Sequence, residues 1–230
     1  MKKSKAILIF LSIIVFSVLS VHAQDNRTIK NFHGIANSGA FEVYVRMGDK
    51  ESIEVEGSEE DLERIETIVQ NGILRIRTKR NINNWNEAVN VVKIYITAIK
   101  LDALMQSGSG IISVEGDLNS ANADIQVSGS GQIKVGLKTQ SASITLSGSG
   151  NLVLDGKVGN LKITMSGSGD VNADKLIAET VKVKLAGNGV AYVYAESELE
   201  AAIVGPGEVK YLGNPNITTS KLGNGKVSKM

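Results

Sequence analysis

The sequence predicts an all-β solenoid, a β-helix of stacked coils, on three observations. A Gly-x-Gly turn recurs seven times, apolar residues alternate on both sides of it, and 24 glycines accompany only two prolines. A disordered Gly-rich chain is poor in aliphatic residues. This one is 42% hydrophobic, so its glycines mark turns inside a packed structure.

Ser107-Gly108-Ser109-Gly110 returns with the same four letters around Gly129 and Gly131, Gly148 and Gly150, and Gly167 and Gly169. Weaker copies follow at Gly187 and Gly189, Gly205 and Gly207, and Gly223 and Gly225. The spacings are 21, 19, 19, 20, 18 and 18 residues, which sets coils of 18–21 residues. Repeats of this period are the signature of solenoids.

The second residue after each turn is apolar: Ile112, Ile133, Leu152, Val171, Ala191, Val209 and Val227. Before the turns, Ile125/Val127, Ile144/Leu146, Ile163/Met165 and Val183/Leu185 enclose one polar residue each. Period-two alternation on both sides of a bend means strand, bend, strand. Such a pair cannot bury its apolar face alone, and stacking copies in register lines up continuous inner columns. The turn serines then form a ladder able to satisfy backbone groups of the bends. A β-meander or hairpin sandwich is the rival, but it does not require near-identical turns at near-constant intervals. Gln106 before the first turn and Lys221 before the last read as the atypical ends of the stack.

The chain opens on Lys2, Lys3 and Lys5, then an apolar run to about Val21, then Val21-His22-Ala23. Residues 1–23 therefore read as a secretory signal peptide, with an uncleaved anchor as the alternative. No cysteine follows, which excludes a lipobox anchor and disulfides. Three of the 25 basic residues leave with the signal, so 22 face 24 acidic ones. A mature charge of about −2 gives no footprint for nucleic acid.

Residues 24–100 lack the clean repeat but read as a strand-rich segment with one short helix, packed on or continuous with the repeats of 101–230. Strands are expected over 40–47, 52–56, 73–78 and 91–97. Ser58 to Val69 shows helical spacing at Leu62, Ile65 and Val69, with Ser58 as N-cap. Asn71-Gly72 makes a tight turn, and Ser38-Gly39-Ala40-Phe41-Glu42-Val43 is a worn copy of the repeat unit. All six arginines fall in this third, balanced by acids, and read as a solvated strand face.

The repeated SGSG turns, the FEVYV-x-M-G-D-K-E-S-I-E-V unit and the N-G-I-L-R-I strand together resemble the putative auto-transporter adhesin, head GIN domain family, common in Bacteroidota. The resemblance covers roughly residues 30–228. It implies a right-handed parallel β-helix exported to the envelope, and carries over no catalytic residues.

The chemistry of known β-helix enzymes needs clustered carboxylates on an outer face. Only Asp170 and Glu208 share an outward column, two coils apart, and nothing in the sequence aims them at one substrate. His33 is the sole mature histidine and lacks a nucleophile-elbow context. The turns lack the Lys-Ser/Thr ending of a phosphate loop and the aspartates of a calcium nonapeptide. No catalytic residue, metal or cofactor is expected. The reading is an exported binding module, in the periplasm or at the cell surface, whose partner is a glycan or an envelope or host protein. The alternatives are a pectinase-like carbohydrate-active enzyme and a structural envelope protein, with oligomerisation open. Candidate ligand contacts are Trp85 with Asn83 and Asn84 in an Asn-rich loop, and the outward Tyr192 and Tyr194.

Overall fold

The computed structural model describes residues 23–79 and 92–230. The expected signal peptide, but for Ala23, and the loop with Trp85, Asn83 and Asn84 lie outside the described residues.

The described chain is a parallel β-solenoid of about seven turns with a single short helix. In chain order the elements begin with β1 (Ala23–Arg27), β2 (Gly34–Ser38), β3 (Glu42–Met47) and β4 (Ser52–Gly57). Helix α1 (Glu59–Arg64) follows, then β5 (Ile65–Gln70), β6 (Ile73–Thr78), β7 (Lys93–Ala98) and β8 (Ala103–Gly108). The repeats form β9 (Ile111–Gly129), β10 (Gln132–Gly148), β11 (Asn151–Gly167), β12 (Asp170–Gly187) and β13 (Val190–Val204). The last are β14 (Glu208–Gly213), β15 (Asn216–Leu222) and β16 (Lys226–Lys229). Each central coil is thus one long strand that bends at its middle, rather than two strands.

One outer face has the order β1-β4-β7-β3-β9-β10-β11-β12-β13-β14-β16, parallel except where β1 and β4 run antiparallel at one end. The inward columns are those the alternation predicts. Ile112, Ile133, Leu152, Val171, Ala191 and Val209 are fully buried, as are Ile125, Ile144, Ile163 and Val183.

The Gly-x-Gly bends stack directly on one another. Ser130 N–H donates to Gly108 O at 3.1 Å, Ser149 N–H to Gly129 O at 2.9 Å, and Ser168 N–H to Gly148 O at 2.9 Å. The expected serine ladder is therefore not what satisfies the bends: the backbone does so itself, and Ser128, Ser147 and Ser166 are exposed. Gly148 shows the requirement. Its φ is +112°, and a Cβ there would meet Gly129 O at 2.5 Å.

One expectation for the first third is corrected. The helix ends at Arg64, and Ile65–Gln70 is a strand paired antiparallel with β6. Ile65, Thr67, Ile68 and Val69 are β-branched and suit a pleated surface better than a helix. The Asn71-Gly72 turn, with φ of 53° and 73°, closes this hairpin in the left-handed conformation that a two-residue turn favours. Ser58 caps α1 as expected, accepting from Asp61 N–H at 3.1 Å.

Gln106 does not mark the end of the stack. The worn unit at 38–43 lies against it as a further coil, with Ser38 opposite Ser107 and Gly110 N–H bonded to Gly39 O at 2.9 Å. Phe41 takes the place of the second glycine there. Two buried amides serve this bend: Asn37 Nδ2 donates to Phe41 O at 3.0 Å and to Gln106 Oε1 at 2.8 Å, while Gln106 Nε2 donates to Gly39 O at 3.2 Å. A buried polar group is tolerated when it is bonded in this way.

Chain order and stacking order differ here. Strands β2 and β3 lie between the β6–β7 coil and the β8–β9 coil. That end is closed by β1, β4 and β5 with α1 beside them. At the other end three inward columns turn polar, with Thr219 and Lys221 continuing Ala201 and Ile203 and Lys229 continuing Tyr211, while Ile217 and Val227 continue Leu199 and Val209. Inward-pointing charge is a known guard against edge-to-edge pairing.

Two variants test these statements. Gly148→Ala combines backbone strain with collision against Gly129 O, and is expected to cost about 3 kcal/mol or more. Gly116→Ala, at φ +91° with open space around it, is expected to cost about 1–2 kcal/mol by strain alone. Urea midpoints at unchanged slope compare the two. Lys221→Leu with Lys229→Leu should create an adhesive end, raising the mean mass in light scattering above that of the unaltered chain; equal masses would show that these lysines are not the guard.

Candidate functional site

The outward column at the third position after each turn runs Ser113, Lys134, Val153, Asn172, Tyr192, Lys210 and Ser228 in strict register. The structure extends it beyond the repeats, through Tyr44 beside Ser113, then Tyr95, then Glu54. At this end the outer face forms an open groove of about 820 Å³. Its floor is the backbone of Val45, Ile96 and Val114, and the outward column forms one wall. Arg46, Ser52, Thr97 and Glu115 form the other.

The tyrosine rings stack with centroids 5.6 Å apart and planes 20° apart, an offset aromatic pair. Both are large and exposed, at 40% for Tyr44 and 38% for Tyr95. Each hydroxyl is engaged: Tyr44 donates to Glu42 Oε2 at 2.9 Å, and Tyr95 to Glu56 Oε2 at 3.2 Å. The bond to Glu42 raises the Tyr44 pKa above its ordinary value, and partial burial followed by the bond to Glu56 raises that of Tyr95. Arg46 Nε donates to Thr97 Oγ1 at 3.0 Å, which holds the guanidinium along the wall. Lys134 and Glu115 pair with no protein group among the described residues.

Sequence reasoning missed Tyr44, Tyr95, Arg46 and Glu115. The signal was present in Glu42-x-Tyr44-x-Arg46 and Lys93-x-Tyr95-x-Thr97, two outward triplets with tyrosine at the centre. Their adjacency was hidden because the two strands lie far apart in the chain and are stacked out of chain order.

The residues singled out from sequence are dispersed. Tyr192 and Tyr194 do point outward, and Lys210 Nζ lies 5.5 Å from the Tyr192 ring centroid, within cation–π range. Asp170 and Glu208 are two strands apart as expected. Asp170 Oδ1, however, accepts from Val190 N–H at 3.2 Å, and Glu208 lies 3.5 Å from Lys210 and 3.9 Å from Lys226. His33 Nδ1 sits 2.7 Å from Asp102 Oδ1, tying the start of β2 to that of β8. The arginines are scattered too: Arg27 is built into the cap through Leu62 O and Ile65 O, while Arg64 and Arg77 pair with Glu60 and Glu66. No group of three or more metal-ligating side chains occurs among the described residues. None of their helices is long and apolar enough to cross a membrane.

The tyrosine pair offers a spectroscopic check. Both should ionise at higher pH than an ordinary tyrosine, read as absorbance near 295 nm, and Glu42→Gln should bring the Tyr44 step down. The raised pKa means that the neutral ring is the form favoured by folding. That contribution is complete below the ordinary tyrosine pKa of about 10 and is lost as pH rises through the folded-state value. An unchanged titration in Glu42→Gln would remove the carboxylate as the cause.

Comparison with solved structures gives the same architecture. A putative adhesin from Bacteroides fragilis NCTC 9343 superposes with TM-score 0.85 at 24% identity, covering 92% of this chain and 98% of that one. A putative lipid binding protein from Parabacteroides distasonis ATCC 8503 gives 0.75 at 24% identity, over 92% and 98%. A putative adhesin from Parabacteroides merdae ATCC 43184 gives 0.70 at 20% identity, over 92% and 97%. At these identities the likeness is one of fold. No curated protein matches the chain. The family model described as putative auto-transporter adhesin, head GIN domain, matches residues 31–215, and with the repeat, the coil stacking and the worn first unit all in place, the chain belongs to that family.

Proposed function

We propose that the chain is an exported binding module of the cell envelope, adhesin-like, which recognises a glycan or a protein through an outer face of the solenoid. The observation that carries this reading is the groove over Tyr44 and Tyr95. Exposed, stacked aromatic rings beside Lys134 and Glu115, which have no protein partner among the described residues, make a surface suited to an external ligand. The family description supports an adhesive role and an exported or surface location. The n-region, apolar run and small-residue ending of residues 1–23 support export. Trp85 with Asn83 and Asn84, and Tyr192 with Tyr194, are proposed as further contacts.

An enzymatic role is disfavoured because Asp170 and Glu208 are engaged by backbone and lysines. A lipid, the ligand class named for the P. distasonis neighbour, would want an apolar trough. This groove is instead edged by Arg46, Glu54, Glu56, Glu115 and Lys134.

The test is binding by residues 24–230 to a glycan array and to a panel of purified extracellular-matrix proteins, alongside Trp85→Ala and the double variant Tyr44→Ala/Tyr95→Ala. Saturable binding that weakens about tenfold in the double variant is expected. Turnover of a polysaccharide, lost on Asp170→Ala, or absence of any saturable binding would overturn the reading.

A further inference from the structure

We propose that the space above Ser113 is a saccharide subsite, taking one pyranose ring stacked on the free face of Tyr44. This rests on the reading of the chain as an envelope binding module and names its ligand class.

The argument begins with register. Tyr44 lies between Tyr95 and Ser113 in one outward column, and one of its faces is covered by Tyr95. The other face looks over Ser113, whose side chain is too short to cover it. The next residue in the column is the long Lys134. Tyr44 and Lys134 therefore stand two strand spacings apart, roughly 10 Å. A ring in van der Waals contact with both sides, at about 3.5–4.0 Å from each, fits that interval. The slot is one strand wide, with an aromatic wall, a serine floor and an aliphatic lysine stem opposite.

The rim decides the ligand's chemistry. Glu115 follows Ser113 on the same strand and face and stands opposite Arg46. Among the described residues Lys134 and Glu115 have no protein partner, and Arg46, bonded through Nε to Thr97, also lines the groove. A cationic ligand would meet Lys134 and Arg46. An anionic one would meet Glu115, Glu54, Glu42 and Glu56. A neutral polyhydroxyl ring meets no such conflict: its C–H face stacks on Tyr44, while its hydroxyls donate to Glu115 and accept from Lys134 and Arg46. Charged donors and acceptors beside one aromatic face thus match a sugar better than an ion. The column then continues through Val153 and Asn172 to Tyr192, about 24 Å from Tyr44 at five strand spacings. A linear oligosaccharide lying along the solenoid axis would run from one aromatic station toward the other.

The experiment uses the purified chain with the methyl glycosides of glucose, galactose, mannose and N-acetylglucosamine, and with their linear oligosaccharides, by saturation-transfer NMR and calorimetry. Binding of at least one is expected. Tyr44→Ala should weaken it about tenfold, and Tyr44→Phe should retain it because the ring remains. Ser113→Phe should abolish it by filling the slot, and Glu115→Gln should weaken it severalfold; where Ser113→Phe fails to fold, Tyr44→Ala and Glu115→Gln decide. Sugar binding indifferent to these variants overturns the subsite and leaves the binding-module reading standing. So does binding of a purified protein with no sugar bound. Failure to bind either class overturns both.

Discussion

The close backbone contact between successive Gly-x-Gly bends is the constraint on which the rest of the molecule depends. Four successive bends donate from the residue between their two glycines to the first glycine carbonyl of the coil before, as in Ser149 N–H to Gly129 O, and where Pro206 lacks the N–H, Gly207 donates to Gly187 O instead. That contact leaves no room for a Cβ, and it fixes one corner of every coil against the next. Once the corner is pinned, the residues on either side have no freedom of register. A slip by one would turn each inward column outward. Ile125, Ile144, Ile163 and Val183 therefore share a column because of glycines several residues away.

Coils of unequal length are reconciled elsewhere. Register breaks at Lys134/Gly136 between β9 and β10, at Val153/Asp155 between β10's neighbour β11 and β12, and at Ala173/Ile177 and Ala178/Thr180 between β12 and β13. Most begin three or four residues after a Gly-x-Gly bend, just past the outward column. Extra residues are absorbed there as bulges, and register is regained before the next Gly-x-Gly bend. The outward column from Tyr44 to Lys210 is continuous for that reason, although the coils it crosses differ in length.

This division explains what the sequence made legible. From Ser107 onward, chain order and stacking order coincide, so turn spacing and alternation sufficed to place Ser113, Lys134, Asn172 and Tyr192 on one column. Before Ser107 they part company. The β2–β3 coil is inserted between two later ones, and no local pattern reports that. Tyr44 and Tyr95 looked like unrelated outward residues, and Gln106 looked like an end. What Gln106 does became clear only beside Asn37, because a buried amide is intelligible through its partner and not through its position in a repeat. The helix boundary failed for a different reason: Leu62, Ile65 and Val69 keep helical spacing while the β-branched run they sit in, and the Asn71-Gly72 turn after it, favour a hairpin.

The two ends of the solenoid bear on where recognition can occur. One is closed by antiparallel strands and α1, so its inner columns are already covered. The other exposes its last coil, but there the columns that hold leucine and isoleucine elsewhere carry Thr219, Lys221 and Lys229. That exposed coil is mixed rather than apolar throughout, because Ile217 and Leu222 are exposed on β15 beside these polar positions. The sides remain, and along most of their length they carry small or charged residues that water satisfies. Two exposed aromatic rings meet face to face where the inserted coil brings Tyr44 against Tyr95. Two tyrosine-bearing strands distant in the chain become neighbours only through that insertion, and the next position in the column is a serine. The same departure from chain order that hid the site in the sequence is what builds an aromatic wall with an empty place beside it.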